Sequence, residues 1–236
     1  MPRRVRTYSG YRNTLAFIII LAIAAALNWQ YFHDARRPDP GPSPTATPNW
    51  DAARHEMEAL PVHGWDRVSD FKRFRFGEAW SDDVNVEFGH NGCNTRDDIL
   101  RRDLVDLQVR TGTCFAQSGV LHDPYTGATI DFVRGPETSS IVQIDHVVSL
   151  SDAWYKGARS WDDQRRRDFA NDPRNLLAVG GPVNFDKAFR DVGSWLPPNA
   201  AFRCAFVARV VEVKTDYQLW VSANEKDATR RLRRDC

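Results

Sequence analysis

The sequence predicts an α+β fold whose centre is a unit of two strands followed by a helix. Residues 141–148 form an apolar, β-prone run, and residues 176–179, Leu-Leu-Ala-Val, form a second one. Gly180, Gly181 and Pro182 then break the chain, and residues 183–190 are expected to form a helix with Pro182 in its first turn. Two strands and a helix in this order predict a ββα unit, to which further helices are added along the chain.

A helix is expected over residues 95–109, well ahead of this unit. Thr95 can cap its first turn, where Asp97 and Asp98 would face the positive end of the helix dipole. The apolar stripe of this helix consists of Ile99, Leu100, Leu104 and Leu107. The spacing of these four residues is that of one helical face.

The remaining elements follow from turn residues and apolar spacing. Strands are expected over residues 114–121 and 129–134, joined by a turn at residues 122–127 that contains Pro124 and Gly127. Further helices are expected over residues 51–60, 151–157, 162–171, 204–213 and 225–234. Residues 51–89 have no legible function.

The N-terminal region predicts export of everything that follows it. Residues 1–14 form a basic tail, and residues 15–33 lie within an uncharged stretch that is long enough to span a bilayer core. An uncleaved membrane anchor is the favoured interpretation, and a cleaved signal peptide with Ala24 and Ala26 near its cleavage site is the alternative. Residues 36–50 contain five prolines and predict an extended linker.

Charge is distributed unevenly along the chain. The whole chain has 32 basic and 31 acidic residues, and residues 1–37 hold six of the bases and one of the acids, so the rest carries a net charge of −4. A net acidic domain has no overall field that draws it to nucleic acid, so binding would depend on local basic patches. The candidate patches are residues 101–102, 165–167, 230–231 and 233–234, each of which could equally be a solvated helix face.

Four cysteines lie in the exported part of the chain, namely Cys93, Cys114, Cys204 and Cys236. An even number of cysteines outside the cytoplasm predicts two disulfides. Of the three pairings, Cys93–Cys114 with Cys204–Cys236 is preferred, because each bond then closes a modest loop. A four-cysteine zinc site is the competing hypothesis, but the closely spaced cysteine pairs typical of such sites are absent from the sequence.

Five polar residues of the ββα unit have the chemistry of phosphodiester hydrolysis. His146 suits a general base, because an imidazole titrates near neutral pH, and Asp145 offers a carboxylate to Mg²⁺ or Mn²⁺. On the following helix, Asn184 could supply a second ligand and Lys187 could pair with a phosphate. Asn175 is expected to tie the loop that orients the imidazole. Adjacent strand residues point to opposite sides, so Asp145 and His146 can share a site only where the strand ends or twists.

Several motifs in this region resemble a known family. They are Ile144 to Leu150 followed by Ala153-Trp154 and Gly157-Ala158, Trp161, Phe169 to Asp172, Asn175 to Val179, Asn184-x-x-Lys187 and Trp195 to Pro198. This order of motifs looks like the HNH nuclease family. More narrowly it is similar to the C-terminal domain of GmrSD-type restriction endonucleases, in its secreted actinobacterial form. The resemblance covers about residues 90–236. Ala188-Phe189 and Ser149 depart from the family's usual Gly-Asp and Pro.

The resemblance implies a ββα-metal fold and an endonuclease. In that family's terms Asp145 and Asn184 would be metal ligands, His146 the general base, Asn175 the middle residue of the signature and Lys187 the lysine that follows. The expected cofactor is a divalent ion, Mg²⁺ or Mn²⁺. The expected partners are nucleic acid, DNA more than RNA, and the membrane that holds the N-terminal segment.

Two other functions are compatible with the sequence. The domain could be a catalytically silent binding module that keeps the nuclease scaffold, an interpretation that the net charge of −4 slightly favours. It could also hydrolyse a different phosphodiester, such as a wall polymer, because that reaction needs the same water, metal and phosphate contacts.

Overall fold

Two antiparallel sheets and seven helices make up the described part of the computed structural model, residues 49–66, 69–232 and 236. The strands are β1 Leu104–Val109, β2 Ala116–His122, β3 Thr129–Val133, β4 Val142–His146 and β5 Leu176–Gly180. The helices are α1 Trp50–Ala59, α2 Thr95–Asp103, α3 Leu150–Tyr155, α4 Asp163–Asn171, α5 Gly181–Lys187, α6 Arg203–Asp216 and α7 Ala223–Leu232. The fold is therefore a mixed α+β fold, as the sequence predicts.

Strands β4 and β5 and helix α5 form the expected ββα unit. The two strands pair antiparallel, with Ile144 opposite Ala178 and His146 opposite Leu176. All five residues of β5 are buried, which explains its uninterrupted apolar sequence. Helix α5 follows β5 without a loop, and Pro182 lies in its first turn, where a missing backbone N–H costs nothing.

The prediction of a helix over residues 95–109 is wrong in its second half. Helix α2 ends at Asp103, and Leu104–Val109 is a strand that pairs antiparallel with β2, which in turn pairs with β3. Leu104 keeps its place in the core, but as a strand residue opposite Leu121. Pairing with the next strand along the chain, β2, has overridden the helical spacing. The residue that caps helix α2 is Asn94, not Thr95, and its side chain accepts from the Asp97 N–H.

Strand β4 lies between two hydrophobic clusters. The smaller cluster joins helix α2 to both sheets and includes Ile99, Phe132 and Ile144. The larger cluster includes Val147 and Val148, which follow β4, together with the apolar side of helix α6. The end of β4 is thus held on both sides by close-packed side chains, which fixes the direction of the polar residues that it carries.

The segment before residue 90 packs against the rest of the domain. Lys226 on α7 donates to the Glu58 carbonyl at the end of α1 at 2.6 Å, and Val62 forms a bridge with Val221. Phe76 is buried, with its ring centroid 6.2 Å from Trp154 and 6.0 Å from Phe169. Residues 51–89, whose role the sequence leaves open, therefore contribute to the core.

Both predicted disulfides are present. Cys93 is bonded to Cys114 and Cys204 to Cys236, with Cα–Cα distances of 5.6 and 5.9 Å. No free cysteine occurs in the described part of the chain. The zinc alternative is therefore wrong, because the sulfurs are bonded to each other.

The expected membrane segment, residues 15–33, lies outside the described residues, and so does the proline-rich linker predicted over residues 36–50 up to residue 48. The linker prediction is wrong at its end, because Asn49 caps helix α1 and Trp50 begins it. Within the residues that are described, none of the helices combines the length and the apolar character needed to cross a bilayer.

Candidate active site

Strand β4 ends in two polar residues whose side chains have separate surroundings. Asp145 lies on the side of the strand that faces helix α5, where its carboxylate contacts Tyr125 and Lys187. The His146 ring instead contacts the Ala170 carbonyl and the Trp80 ring. This is the alternation that a regular strand imposes on neighbouring side chains.

The Asp145 carboxylate is buried and fully engaged. The Tyr125 hydroxyl donates to one of its oxygens at 2.5 Å, and the Lys187 ammonium lies 3.0 Å from both oxygens. The same ammonium donates to the His146 carbonyl at 2.8 Å. Burial raises the pKa of Asp145, an effect that the Lys187 charge and the Tyr125 hydrogen bond oppose. Lys187 is completely buried, so its charge serves this pair and does not face solvent.

The His146 ring is held in one orientation. Its Nε2 lies 2.9 Å from the Ala170 carbonyl oxygen, which can only accept, so Nε2 carries the proton of the neutral ring. The Nδ1 lone pair has no hydrogen-bond donor among the described residues. Trp80 stacks on the ring, with centroids 5.9 Å apart and planes at 14°. Burial lowers the pKa of His146 to about 3, so the ring is neutral at pH 7.

His146 lines a cavity of about 250 Å³. The wall facing it is contributed mainly by the segment before helix α2, and includes Arg73, Phe74 and Trp80. The Arg73 charge also helps to lower the pKa of His146. The cavity lining also includes Glu78, so a guanidinium and a carboxylate are both present. A neutral imidazole with an available lone pair can accept a proton from water in such a cavity.

Asn175 fixes the loop that follows His146. Its side-chain oxygen accepts from the Val148 N–H at 2.9 Å, and its amide donates to the Val148 and Phe169 carbonyls at 3.3 and 3.4 Å. Its backbone carbonyl accepts from the Val147 N–H at 2.8 Å. The side chain is fully buried and joins the loop after β4 to the end of α4, the helix that supplies the Ala170 carbonyl.

The sequence predicts that Asp145, His146 and Asn184 converge on one cation. In the structure these three side chains make separate contacts. The Asn184 amide donates to the Gln143 side chain at 2.8 Å, one turn of helix α5 away from Lys187. Of the five expected site residues, the structure joins Asp145 directly to Lys187. The His146 ring contacts the Ala170 carbonyl and not the Asp145 carboxylate. Lys187 lies beside Asp145 because its side chain is long enough to reach the carboxylate and supplies the positive charge that a buried acid requires.

Asp145 and Asn184 are the residues that could hold a divalent cation, and their oxygens are suitable donors for Mg²⁺ or Mn²⁺. Both Asp145 oxygens are already engaged by Tyr125 and Lys187. An ammonium 3.0 Å from the carboxylate neutralises it and repels a second cation. Among the described residues, no group of three or more His, Cys, Asp or Glu side chains is arranged so that it could hold a metal ion. The side chains as arranged therefore do not fit a divalent ion at Asp145.

Most arginines of the expected basic patches make contacts within the protein. Arg102 pairs with Asp103 and donates to the Pro173 and Leu176 carbonyls at 2.7 Å. Arg166 is buried and donates to the Arg75 carbonyl, and Arg230 pairs with Glu58. These side chains hold segments of the fold together, which weakens the case for patches at residues 101–102, 165–167 and 230–231 as nucleic-acid contacts.

Three residues around the site were not singled out from the sequence. Tyr125 lies in the turn between β2 and β3, and Trp80 and Arg73 lie in the segment whose role was open. Tyr125 carried the one available signal, because an aromatic residue in an Asp-Pro-Tyr-Thr-Gly turn is unusual unless the fold buries it. Trp80 and Arg73 reach the site only through tertiary packing, which no local pattern reveals.

The chain is similar to a protein of Arthroderma benhamiae that is described as an uncharacterized secreted protein. The two are 36% identical over 201 residues, which cover 84% of this chain and 92% of that protein. No solved structure matches the chain significantly.

The family match covers the region that contains both sheets and the residues just described. Residues 94–232 match the family described as GmrSD restriction endonucleases, C-terminal domain. The more specific attribution to an actinobacterial form stays a prediction. The match spans more than half of the chain, and the chain therefore belongs to the family of GmrSD restriction endonuclease C-terminal domains.

Proposed function

We propose that this chain is an endonuclease that hydrolyses phosphodiester bonds of nucleic acid, with His146 as the general base. The observation that supports the proposal most is the state of the imidazole. Its Nε2–H is fixed on the Ala170 carbonyl, its Nδ1 has no hydrogen-bond donor among the described residues, and the ring lines the cavity. Membership of a restriction-endonuclease domain family supplies the reaction class.

The steps assigned to the chain's own residues are few. Nδ1 of His146 takes a proton from the attacking water, and the Ala170 carbonyl stabilises the imidazolium that forms. The Arg73 guanidinium in the same cavity offers a charge to the scissile phosphate. Asn175 keeps the loop after His146 in place. Tyr125 and Lys187 hold the Asp145 carboxylate in place by hydrogen bonds.

Dependence on Mg²⁺ or Mn²⁺ stays a prediction from the family resemblance. It requires the Lys187 ammonium to leave the Asp145 carboxylate, because the two groups are in contact. Activity that persists in EDTA would agree with the contacts of Asp145 described above. Activity that is lost in EDTA would show that the reaction needs a divalent ion.

We place the protein outside the cytoplasm. Two disulfides are typical of an oxidising compartment, and the similar protein of Arthroderma benhamiae is described as secreted. Anchoring through residues 15–33 stays a prediction.

The test is a cleavage assay with the purified protein. Supercoiled plasmid, single-stranded DNA and RNA are incubated with Mg²⁺, with Mn²⁺ and with EDTA, and the products are separated on gels. Cleavage of at least one substrate in one of these conditions is expected. Binding without cleavage in every condition would contradict the proposal and favour the silent binding module.

A further inference from the structure

Four consecutive residues are exposed in the segment that lines the His146 cavity, and the second and third of them are cavity-lining residues. They are Lys72, Arg73, Phe74 and Arg75, and the Phe74 side chain is 71% exposed. The Arg75 guanidinium lies over the Phe74 ring, 5.7 Å from its centroid. None of the three cations makes an ion pair with another described residue, in contrast to Arg102, Arg166 and Arg230. An uncompensated basic cluster with an exposed aromatic ring is unusual on a domain whose net charge is negative.

This segment is held firmly despite its exposure. Phe76 is buried in the larger hydrophobic cluster, and the Arg75 carbonyl accepts from Arg166 Nε at 2.9 Å. Gly77 has φ +82°, and a side chain there would clash with Arg167, so the backbone turns closely against helix α4. A surface loop that is already ordered loses little conformational entropy when it binds a ligand.

The segment also faces the candidate base directly. Arg73, Phe74 and Trp80 line the same cavity as His146. The family match begins at residue 94, so this wall of the cavity is built by a part of the chain that lies outside the matched region. The segment therefore adds contacts to a centre that the family domain provides.

We propose that residues 72–80 form a binding element for single-stranded nucleic acid, which rests on and narrows the function proposed above. An exposed aromatic ring can stack on a base only where that base is not already stacked within a duplex. Lys72, Arg73 and Arg75 can pair with successive phosphates on either side of that base. Phe74 holds the base, and the neighbouring phosphate lies in the cavity that contains His146.

The test measures binding separately from cleavage. The full chain with His146→Ala, which removes the proposed base, is titrated in EDTA with fluorescent 12-nucleotide DNA and RNA strands and with a duplex hairpin of equal length. Phe74→Ala added to this background is expected to weaken single-strand binding about 5- to 100-fold and duplex binding by less than about 3-fold. Arg73→Ala with Arg75→Ala is expected to reduce the slope of log affinity against log salt by about 1.4.

A matched control is available at Phe115. This ring is also exposed and lies beside an arginine, with the Arg134 guanidinium 5.4 Å from its centroid, but it does not line the cavity. Phe115→Ala is expected to leave both affinities unchanged. Unchanged single-strand affinity in Phe74→Ala, or an equal loss for strand and duplex, would overturn the proposal. Phe74-dependent binding by a protein that cuts nothing would support this element and contradict the proposed catalysis.

Discussion

Asp145 and His146 are adjacent at the end of strand β4, but their side chains contact different groups. The Asp145 carboxylate is paired with the Lys187 ammonium and accepts a hydrogen bond from the Tyr125 hydroxyl. His146 is oriented by a backbone carbonyl and a stacked indole, and it keeps one nitrogen available. The residue types could be chosen from the sequence, but their partners could not, because Tyr125, Lys187, Ala170 and Trp80 come from four separate segments.

The pH dependence of cleavage tests the state of His146. Burial lowers its pKa to about 3, below the ordinary value of about 6.5, so the neutral form persists as the pH falls. The rate constant kcat/KM, which reports groups of the free enzyme, is expected to be level from pH 8 down to about pH 5. The measurement is the initial cleavage rate of a labelled strand across this range.

The same shift has a consequence for stability that serves as the control. A histidine whose pKa is lowered by folding contributes stability that is present above about pH 6.5 and is lost as the pH falls towards 3. Circular dichroism at each pH therefore separates loss of the base from loss of the fold. An acid limb of kcat/KM centred near pH 6.5 in a fully folded protein would contradict the lowered pKa of His146.

At the scale of elements, most helices and strands could be predicted from the sequence. The prediction failed where contacts between elements determine the structure. The strands of the ββα unit and helix α5 were predictable, because apolar runs, glycines and a proline mark them locally. Residues 104–109 were not, because their helical spacing competes with pairing to β2, and the spacing alone does not show which of the two wins. The role of residues 71–80 was not predictable either, since Phe76 packs against rings of helices α3 and α4, which lie far along the chain.

Replacing Lys187 by Met tests how helix α5 is joined to strand β4. The substitution keeps an unbranched side chain that is one atom shorter, and it leaves the buried Asp145 carboxylate without its counter-charge. Breaking a buried pair from one side is expected to lower the free energy of unfolding by about 3 kcal/mol at pH 7. The measurement is urea unfolding followed by tryptophan fluorescence.

Arg190→Met is the matched control for that experiment. Arg190 follows helix α5 and pairs with Asp186, but both side chains are partly or mostly exposed. Its unfolding midpoint is expected to stay close to that of the unmodified protein. If Lys187→Met had the same free energy of unfolding as Arg190→Met, the claim that the buried pair stabilises the packing of α5 on the sheet would be contradicted.

At the scale of the whole molecule, two disulfides and a buried charge network supplement the two hydrophobic clusters. Lys156 and Lys214 are fully buried and share the carboxylates of Asp152 and Glu225, and Lys156 also reaches Asp191. This network joins α3, α6 and α7. It could not be predicted from the sequence, because each charge alone is indistinguishable from a solvated one. The disulfide pairing was predicted, because loop length alone favoured it.

Removing the second disulfide tests its contribution to the fold. Cys204 and Cys236 are 32 residues apart, and a closed loop of this length restricts the unfolded chain by about 3 to 4 kcal/mol. The double variant Cys204→Ser with Cys236→Ser is expected to lose about that much free energy of unfolding without loss of the native fold. Peptide mapping without reductant should recover Cys93 joined to Cys114 in the variant and in the unmodified protein. Recovery of any other pair would contradict the pairing.

The rate of cleavage by the His146→Ala variant tests the central claim most directly. It is measured on the best substrate of the unmodified protein, beside His122→Ala, which removes an exposed histidine of strand β2 that contacts Thr129. Loss of a general base is expected to lower the cleavage rate of His146→Ala by a factor of about 10² to 10⁴. The cleavage rate of His122→Ala is expected to be unchanged. Equal rates for His146→Ala and the unmodified protein, in a sample whose fold is intact, would contradict the assignment of His146 as the base.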